Sequence, residues 1–272
     1  MNDTPTAALA TTVALATTVH QPDERLVPMA QTHLPDLVAR YAAVTAYYSR
    51  ETHATVLDLL RRQGIAVQVN PVEAQGIHHI GRVRRETIRL GLQANTTHLQ
   101  ICDFDRALHW SAHYPQELGQ VVANIPRYDF LVLGRTDRAW RTHPPYQTET
   151  EPLFNKVFAL VSGLPWDVGA GSRGLSRHAA ETLLQLSAEE TVGVDAEWPL
   201  LLLNREGFAV DHRACEGLEF ETADRFGAEI EAAGSYKAWE AQMSADPRRW
   251  VFRLEIVQMI AAAAVRYGNR DA

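Results

Sequence analysis

The N-terminal part of the chain alternates between short apolar segments and amphipathic segments, and this alternation limits the fold more than any other feature. Four segments rich in Val, Ala, Thr or Ile have the composition of buried strands: residues 11–19, 43–48, 65–69 and 98–102. Three segments between them have the spacing of apolar side chains expected of helices: residues 26–41, 53–63 and 80–92. Strands joined through helices run parallel in one sheet. The sequence therefore predicts an α/β fold with a mostly parallel central sheet flanked by helices.

The second half of the chain is less regular. Strands are predicted at residues 130–133 and 208–210, and helices at residues 154–161, 176–186 and 198–204. From residue 225 onward the pattern is helical, with one apolar stripe formed by Trp250, Leu254, Val257 and Ile260. We therefore predict a main domain over residues 1–224 and a C-terminal helical appendage over residues 225–272.

Charge and cysteine content exclude several classes of protein. The chain of 272 residues has 26 basic and 33 acidic side chains, a net charge of −7, whereas a general nucleic-acid binder needs a surplus of Lys and Arg. Cys102 and Cys215 are isolated in sequence, which favours reduced thiols and a cytoplasmic protein. The apolar stretch at residues 7–19 has no basic lead and is too short and too polar to span a membrane, so we predict a strand there.

Two carboxylates follow a predicted strand directly. Asp103 and Asp105 come after residues 98–102, with one residue between them. Ligands of parallel sheets gather at the carboxyl ends of the strands. Mg²⁺ and Mn²⁺ prefer oxygen ligands and take further ligands from substrate phosphates. The Asp pair therefore predicts a site for one of these cations.

The order of these segments resembles a known family. Alternating strands and helices lead to residues 76–86 (GIHHIGRVRRE) and then to residues 99–105 (LQICDFD). This arrangement is similar to the nucleotide-sugar half of the GT-A fold glycosyltransferases, over roughly residues 10–215. The resemblance implies that Asp103 and Asp105 hold a Mn²⁺ or Mg²⁺ ion that bridges a nucleotide diphosphate. It implies a transferase that moves a sugar from a nucleotide-diphosphate donor to a small hydroxyl acceptor. Asn70 departs from the family, since a carboxylate that contacts the base is expected near that position.

The resemblance also suggests further site residues. His212, after the predicted strand at 208–210, corresponds to a late histidine that completes the metal site in some members, and an imidazole suits Mn²⁺. Asp195 and Glu197 correspond to the late acidic residues of inverting members, one of which deprotonates the acceptor hydroxyl. Helix capping is the alternative role for both carboxylates.

Three arginines are candidates for contacts with the nucleotide sugar. Arg82 is the best placed of a row of arginines on one face of the helix at 80–92, and its guanidinium could pair with diphosphate oxygens. Arg135 follows the strand at 130–133. Arg173 lies in residues 169–174 (GAGSRG), which match the G-x-G-x-x-G spacing of dinucleotide-binding proteins. No strand is predicted directly before this segment, so we interpret it as a glycine-rich wall of the acceptor pocket.

Two other functions remain open from the sequence. Residues 103–108 (DFDRAL) resemble the nucleophile loop of haloacid-dehalogenase-type phosphatases. That family also needs a catalytic Lys and a second acidic motif, and this chain has only Lys156 and Lys237. A non-catalytic nucleotide-sugar-binding protein would keep the fold without turnover. A homodimer is compatible with each of these functions.

Overall fold

A computed structural model describes residues 12–71 and 76–268 of the protein. The strands are β1 (Val13–Val19), β2 (Ala43–Tyr48), β3 (Ala66–Val69), β4 (His98–Asp103), β5 (Phe130–Arg135), β6 (Ser172–Ser176) and β7 (Val210–Cys215). The helices of the first half are α1 (Val27–Val38), α2 (Ala54–Arg62), α3 (Ile80–Gly91), α4 (Phe104–His113), α5 (Pro115–Asn124), α6 (Asp137–Arg141) and α7 (Pro145–Thr148). Those of the second half are α8 (Glu151–Ser162), α9 (Arg177–Leu186), α10 (Val194–Leu203), α11 (Gly227–Ala232), α12 (Tyr236–Ser244) and α13 (Pro247–Gly268). Short 3₁₀ turns occupy Ile125–Arg127, Glu216–Leu218 and Glu221–Arg225.

The seven strands form one sheet in the order β3-β2-β1-β4-β6-β5-β7. β1 pairs in parallel with β2 and β4, β2 pairs in parallel with β3, and β5 pairs in parallel with β7. Only β6 runs antiparallel to both of its neighbours, β4 and β5. The predicted α/β fold with a mostly parallel sheet is confirmed.

Helices cover both faces of the sheet, and its central strands are accordingly apolar at successive positions. In β5, Leu131 and Leu133 belong to one buried cluster, whereas Phe130 and Val132 belong to another. This is the two-residue alternation of a strand, which sends successive side chains to opposite faces. The first cluster includes residues of α1, α2, α4 and α5, and the second includes residues of α3, α9 and α10.

The C-terminal residues are helical, as predicted, and α13 packs against α8 and α10. Ile260 of α13 shares a third apolar cluster with Phe158 of α8 and Leu200 of α10. The predicted apolar stripe is partly wrong, since Leu254 is 50% exposed, whereas Ile256 is buried beside Val257. A helix rotates about 100° per residue, so a small error in the chosen face exposes one member of the stripe. The domain boundary at residue 225 stays a prediction.

Two strands differ from the sequence prediction. Residues 172–176, predicted as part of a pocket wall and the start of a helix, form β6. The late strand begins at Val210 and continues to Cys215, so His212 lies inside the strand and not after it. Both strands are rich in polar residues, which hides them from a search for apolar runs. Residue 11, predicted within the first strand, and residues 7–10 lie outside the described part of the chain.

Candidate functional site

A cleft of about 580 Å³ opens at the carboxyl ends of the parallel strands. Thr18 of β1, Tyr47 of β2 and Asp103 of β4 line it, together with Asn70, which directly follows β3. These residues are far apart in sequence, and the parallel order of the strands brings them to one edge of the sheet. The cleft therefore lies where the sequence predicted ligand binding.

Asp103 ends β4 and also stands at the N-cap position of α4. An N-cap carboxylate commonly accepts a hydrogen bond from its own helix, but the Asp103 side chain makes none. It accepts instead from the hydroxyl of Thr18, the residue opposite it in the β1–β4 register. This bond from the neighbouring strand uses Oδ1 and holds the carboxylate at the cleft.

Asp105 lies in the first turn of α4 and lines the same cleft. Its Oδ1 accepts a hydrogen bond from the Arg106 backbone N–H at 3.0 Å. Burial, followed by the charges of Glu221 and Asp103, raises the pKa of Asp105 to about 6. Carboxylates that repel one another in an enclosed cleft would be stabilised by a cation between them. The donor set of Asp103 and Asp105 therefore fits a hard divalent ion.

Arg84 lines the cleft beside the Asp pair, and the sequence analysis did not select it. Gly171 separates Arg84 from Asp103: a Cβ added there would lie 3.2 Å from Arg84 Nη2 and 3.6 Å from Asp103 Oδ2. The φ angle of Gly171 is +72°, a conformation that other residues adopt only with strain. The backbone at this glycine thus approaches both charged groups closely. A guanidinium next to the carboxylates suits the oxygens of a diphosphate.

The structure does not bring Asp195 and Glu197 to the cleft. Asp195 is 3% exposed and forms a buried ion pair with both Arg84 and Arg173. Glu197 is fully buried and accepts hydrogen bonds from the backbone N–H groups of Ala188 and Glu189, at 2.8 and 3.0 Å. These contacts give both carboxylates buried partners, and the assignment of both residues as catalytic stays a prediction. Asp195 is the shared partner of two buried guanidiniums, and Glu197 closes the loop between α9 and α10.

Arg82 and Arg173 also are not among the residues that line the cleft. Arg82 is half-buried and does not line the cavity, although it is two residues from Arg84 on the same helix. Arg173 lies in β6 with its guanidinium bonded to the backbone carbonyls of Ser172 and Val168 and to Asp195. Residues two apart on a helix point in directions about 200° apart, so only one of Arg82 and Arg84 can face the cleft. The contacts of Arg82 and Arg173 with the donor stay predictions.

A second cavity, of about 530 Å³, lies beyond the end of β5. Arg135 lines it and is held by Asp167 and Glu151, each at 2.8 Å, while its guanidinium lies 4.1 Å from the centre of the Trp140 ring. Burial alone would raise the pKa of Asp167, but the Arg135 guanidinium holds that pKa well below its usual range. Asp167 is therefore ionised, and its carboxylate is paired with the Arg135 guanidinium. Arg135 serves as a rigid wall of this cavity.

His212 lines the second cavity and is not brought to the Asp pair. In the sheet register, Ile101 of β4 pairs with Arg173, Arg173 pairs with Val132, and Val132 pairs with His212. Three strand spacings of about 4.8 Å separate the two outer positions by roughly 14 Å. The His212 ring stacks on Trp166, with the ring centres 5.8 Å apart. The assignment of His212 as a third ligand assumed that it followed the strand, and its position within β7 directs it to the second cavity.

Two residues that line the cleft, Thr18 and Glu221, were not predicted from the sequence. Contacts between distant parts of the chain bring them to the cleft. Thr18 is opposite Asp103 only because β1 and β4 are neighbours. Glu221, more than a hundred positions after Asp105, lines the cleft and forms a salt bridge with Arg106 at 2.9 Å. The polar residue at the end of the first strand was the one local signal for Thr18. Nothing local marks Glu221.

No family model matches the chain, and no curated protein matches it. Among solved structures, the chain is similar to glucosyl-3-phosphoglycerate synthase from Mycobacterium tuberculosis in complex with Mn²⁺, uridine diphosphate and phosphoglyceric acid. The TM-score is 0.50 and the identity 14%, over 74% of this chain and 68% of that chain. Another structure of that synthase, with Mn²⁺, UDP-glucose and phosphoglyceric acid, gives a TM-score of 0.49 and 13% identity, over 83% of this chain and 80% of that chain.

The first of these similarities establishes the fold. The predicted GT-A-like architecture, a mostly parallel sheet with flanking helices, is confirmed by it. Over the part of the chain that the structure describes, no helix combines the length and the apolar content that a membrane crossing requires.

Proposed function

We propose that the protein is a metal-dependent glycosyltransferase that moves a sugar from a nucleotide-diphosphate donor to a small hydroxyl acceptor. The observation that carries the proposal is that Asp103 and Asp105 both line a large cleft at the carboxyl ends of parallel strands. The fold is shared with a synthase whose structure contains Mn²⁺, uridine diphosphate and phosphoglyceric acid. The proposal thus joins a local chemical feature to a fold that supports this chemistry.

Asp103 and Asp105 would hold Mn²⁺ or Mg²⁺ through their carboxylate oxygens. The bound ion would supply positive charge to the diphosphate that leaves the sugar. Thr18 fixes Asp103 by a hydrogen bond, and the Arg106 N–H fixes Asp105, so both carboxylates are oriented by the fold. Arg84 adds a fixed guanidinium at the same end of the cleft. Two positive charges at fixed positions, those of the ion and of the guanidinium, would orient the diphosphate and stabilise its developing negative charge.

The nucleoside would occupy the part of the cleft formed by β2 and β3. Tyr47 and Tyr48 supply aromatic surface there, and Asn70 follows β3 where the family resemblance leads one to expect a carboxylate. Asn70 accepts a hydrogen bond from the Tyr47 hydroxyl at 3.2 Å. An amide can both donate to and accept from a base, so it can replace a carboxylate in base recognition. We propose a uracil-type or related base at this position.

The acceptor would occupy the second cavity. The end of β5 and the end of β4 lie on the same edge of the sheet, with β6 between them. Trp140 and Trp166 offer aromatic faces, and Asn155 and Lys156 offer polar contacts, along the walls of this cavity. Aromatic faces suit sugar-like ligands, and a Lys suits an acceptor that carries an acidic group. A small hydroxyl compound fits these walls.

The phosphatase alternative finds little support in the geometry. The second acidic segment it would need, around Asp195, is buried against Arg84 and Arg173. Lys156, one of only two lysines in the chain, lines the second cavity and not the cleft that contains Asp103. A non-catalytic nucleotide-sugar-binding protein remains the competing proposal. Cys102 and Cys215 are both free and buried, which agrees with a cytoplasmic location. The homodimer stays a prediction.

Slow hydrolysis of nucleotide sugars distinguishes these alternatives. Incubation of the protein with UDP-glucose and other nucleotide sugars in Mn²⁺ should release free sugar and nucleoside diphosphate, and Asp105→Asn should abolish the release. Asp36 is exposed, and Asp36→Asn serves as the control. Rapid release of phosphate from simple phosphomonoesters, or a fluoride-trapped adduct at Asp103, would identify a phosphatase and contradict the proposal. Binding of the nucleotide without any hydrolysis or transfer would identify a non-catalytic protein.

A further inference from the structure

A group of histidine and carboxylate side chains lies along α4, one and two turns after Asp105. His109 and His113 are four residues apart on α4, so they project from the same face of the helix. Asp224 approaches them from the 3₁₀ turn Glu221–Arg225. One ligand atom from each of these side chains lies within 4.8 Å of the other two. Among residues 12–71 and 76–268, this is the one group of three or more His, Cys, Asp or Glu side chains that meets this distance.

We propose that His109, His113 and Asp224 form a second metal site, for Zn²⁺, separate from the Asp pair of the cleft. Two imidazoles and one carboxylate are ligands that Zn²⁺ accepts, with water in the fourth position. Mg²⁺ and Mn²⁺ prefer oxygen ligands, so the two sites differ in the ion that each selects. Ligand atoms around a tetrahedral Zn²⁺ lie about 3.3 Å apart. Small movements of these side chains would therefore give the required geometry.

The surroundings of His109 match those of a metal-bound histidine. Its Nδ1 lies 2.7 Å from Asp224 Oδ2, and its Nε2 lies 3.1 Å from Glu219 Oε1. In metal sites, a ligating histidine commonly donates its second ring N–H to a carboxylate, which fixes the ring. Glu219 fulfils this role and is itself held by the Tyr114 hydroxyl and by Arg138. Zn²⁺ would bind at Nδ1, while Nε2–H continues to donate to Glu219.

Binding would replace one proton by the ion. His109 lies between the carboxylates of Asp224 and Glu219, so each of its ring nitrogens faces a hydrogen-bond acceptor. Zn²⁺ at Nδ1 takes the place of the proton that this nitrogen shares with Asp224, and the proton passes to solvent. The exposed side of His113 gives the ion a route from solvent.

The consequence concerns the wall of the cleft. Glu221 and Arg225, at the two ends of the turn that carries Asp224, both line the cleft. Zn²⁺ bound to α4 and to Asp224 would join this turn to the helix that begins with the Asp pair. Bound Zn²⁺ would therefore make the cleft wall more rigid without touching the nucleotide. The site itself does not depend on the proposed transferase activity.

Calorimetric titration of the full-length, metal-free protein with Zn²⁺ tests this inference. Saturating Mg²⁺ is present throughout, because it occupies oxygen-only sites and competes poorly for imidazole nitrogens. We expect one Zn²⁺ per chain, release of about one proton when two buffers are compared, and a rise in melting temperature. His113→Ala should weaken Zn²⁺ binding by about tenfold or more, since it removes a ligand while the exposed position leaves the fold intact.

The control variant is His78→Ala. His78 is also exposed and lies 3.1 Å from one carboxylate, that of Glu255. This variant should bind Zn²⁺ as the wild-type protein does. Absence of Zn²⁺ binding by the wild-type protein in Mg²⁺, or equal affinity of His113→Ala and wild type, would overturn the proposal and leave His109 as an imidazolium that bridges two carboxylates.

Discussion

At the scale of single residues, each charged side chain near the cleft has a partner that explains its position. Arg84 lines the cleft and also forms an ion pair with Asp195. Asp195 forms a second ion pair, with Arg173. Buried charges are tolerated when they are paired, and removal of one partner leaves the others uncompensated. Asp195 is thus a positioning residue, since it holds Arg84 at the cleft.

Asp195→Asn tests this role. The amide leaves two buried guanidiniums without a negative partner, and we expect the free energy of unfolding to fall by about 3–5 kcal/mol. Urea denaturation provides the measurement, and Asp58→Asn, whose side chain is 59% exposed, should change stability by less than about 0.5 kcal/mol. Wild-type stability combined with a large loss of turnover would instead indicate that Asp195 is the general base.

Local sequence reasoning found Asp103 and Asp105 because a carboxylate pair directly after an apolar strand is visible within seven residues of sequence. It selected Arg82 from one row of arginines and did not consider Arg84, because charge spacing along a helix does not reveal which face the sheet covers. Arg84 is buried, yet it is an arginine on the same helix as Arg82. Only the packing of α3 against the sheet and the 189–190 loop decides between them.

At the scale of the secondary-structure elements, the apolar strands and the amphipathic helices were predictable, whereas the polar strands were not. β6 is buried at every position although its sequence is SRGLS, because it lies between β4 and β5 and its Arg173 is paired. β7 forms an edge of the sheet and carries Asp211 and Arg213. Charged residues protect an edge strand from pairing with other chains, and they also remove its apolar signal.

The first turn of α3 is held close to the loop before α10. Gly81 N–H donates to Glu190 O at 2.8 Å, and a Cβ at Gly81 would lie 2.1 Å from the backbone oxygen of Glu189. Gly81→Ala should therefore push α3 away from this loop and lower the free energy of unfolding by about 1–3 kcal/mol. Because Arg84 is on the same helix, binding of nucleotide diphosphates should weaken as well.

Gly119→Ala is the matched control for this prediction. Gly119 is also helical, in α5, and the nearest atom to an added Cβ is Arg40 Nη1 at 3.6 Å. This substitution should be neutral or stabilise the protein by up to about 1 kcal/mol, since Ala favours helix more than Gly does. Equal effects of the two substitutions in chemical denaturation would contradict the close contact at Gly81.

At the scale of the whole molecule, both cavities lie at the carboxyl ends of parallel strands, and the C-terminal helix α13 packs against a helix that lines one of them. α13 shares an apolar cluster with α8, and residues of α8 line the second cavity. The sequence predicted a C-terminal appendage packed on the core, because the helical pattern after residue 225 differs from the alternating pattern before it. Sequence periodicity does not report which surface a helix covers, and that surface decides how strongly α13 contributes to the stability of the main domain.

Substitutions on the two sides of α13 test its contribution. Ile260 is 1% exposed within the cluster, whereas Leu254 is 50% exposed. Ile260→Ala should lower the free energy of unfolding by about 2–5 kcal/mol, in a single cooperative transition that includes the main domain. Leu254→Ala should change it by less than about 0.5 kcal/mol. Two separate unfolding transitions would show that α13 belongs to an independent unit.

The central claim is that Asp103 and Asp105 bind a nucleotide diphosphate through a divalent cation. The most direct measurement is the melting temperature of wild type, Asp105→Asn and Asp36→Asn with UDP, GDP and ADP, each with and without Mn²⁺. A ligand at about 100 times its Kd stabilises the native state by about 2.7 kcal/mol. We predict that at least one nucleotide raises the melting temperature of wild type and Asp36→Asn only when Mn²⁺ is present, and that Asp105→Asn shows no such rise. A rise that does not need Mn²⁺, or one that Asp105→Asn retains in full, would contradict the claim.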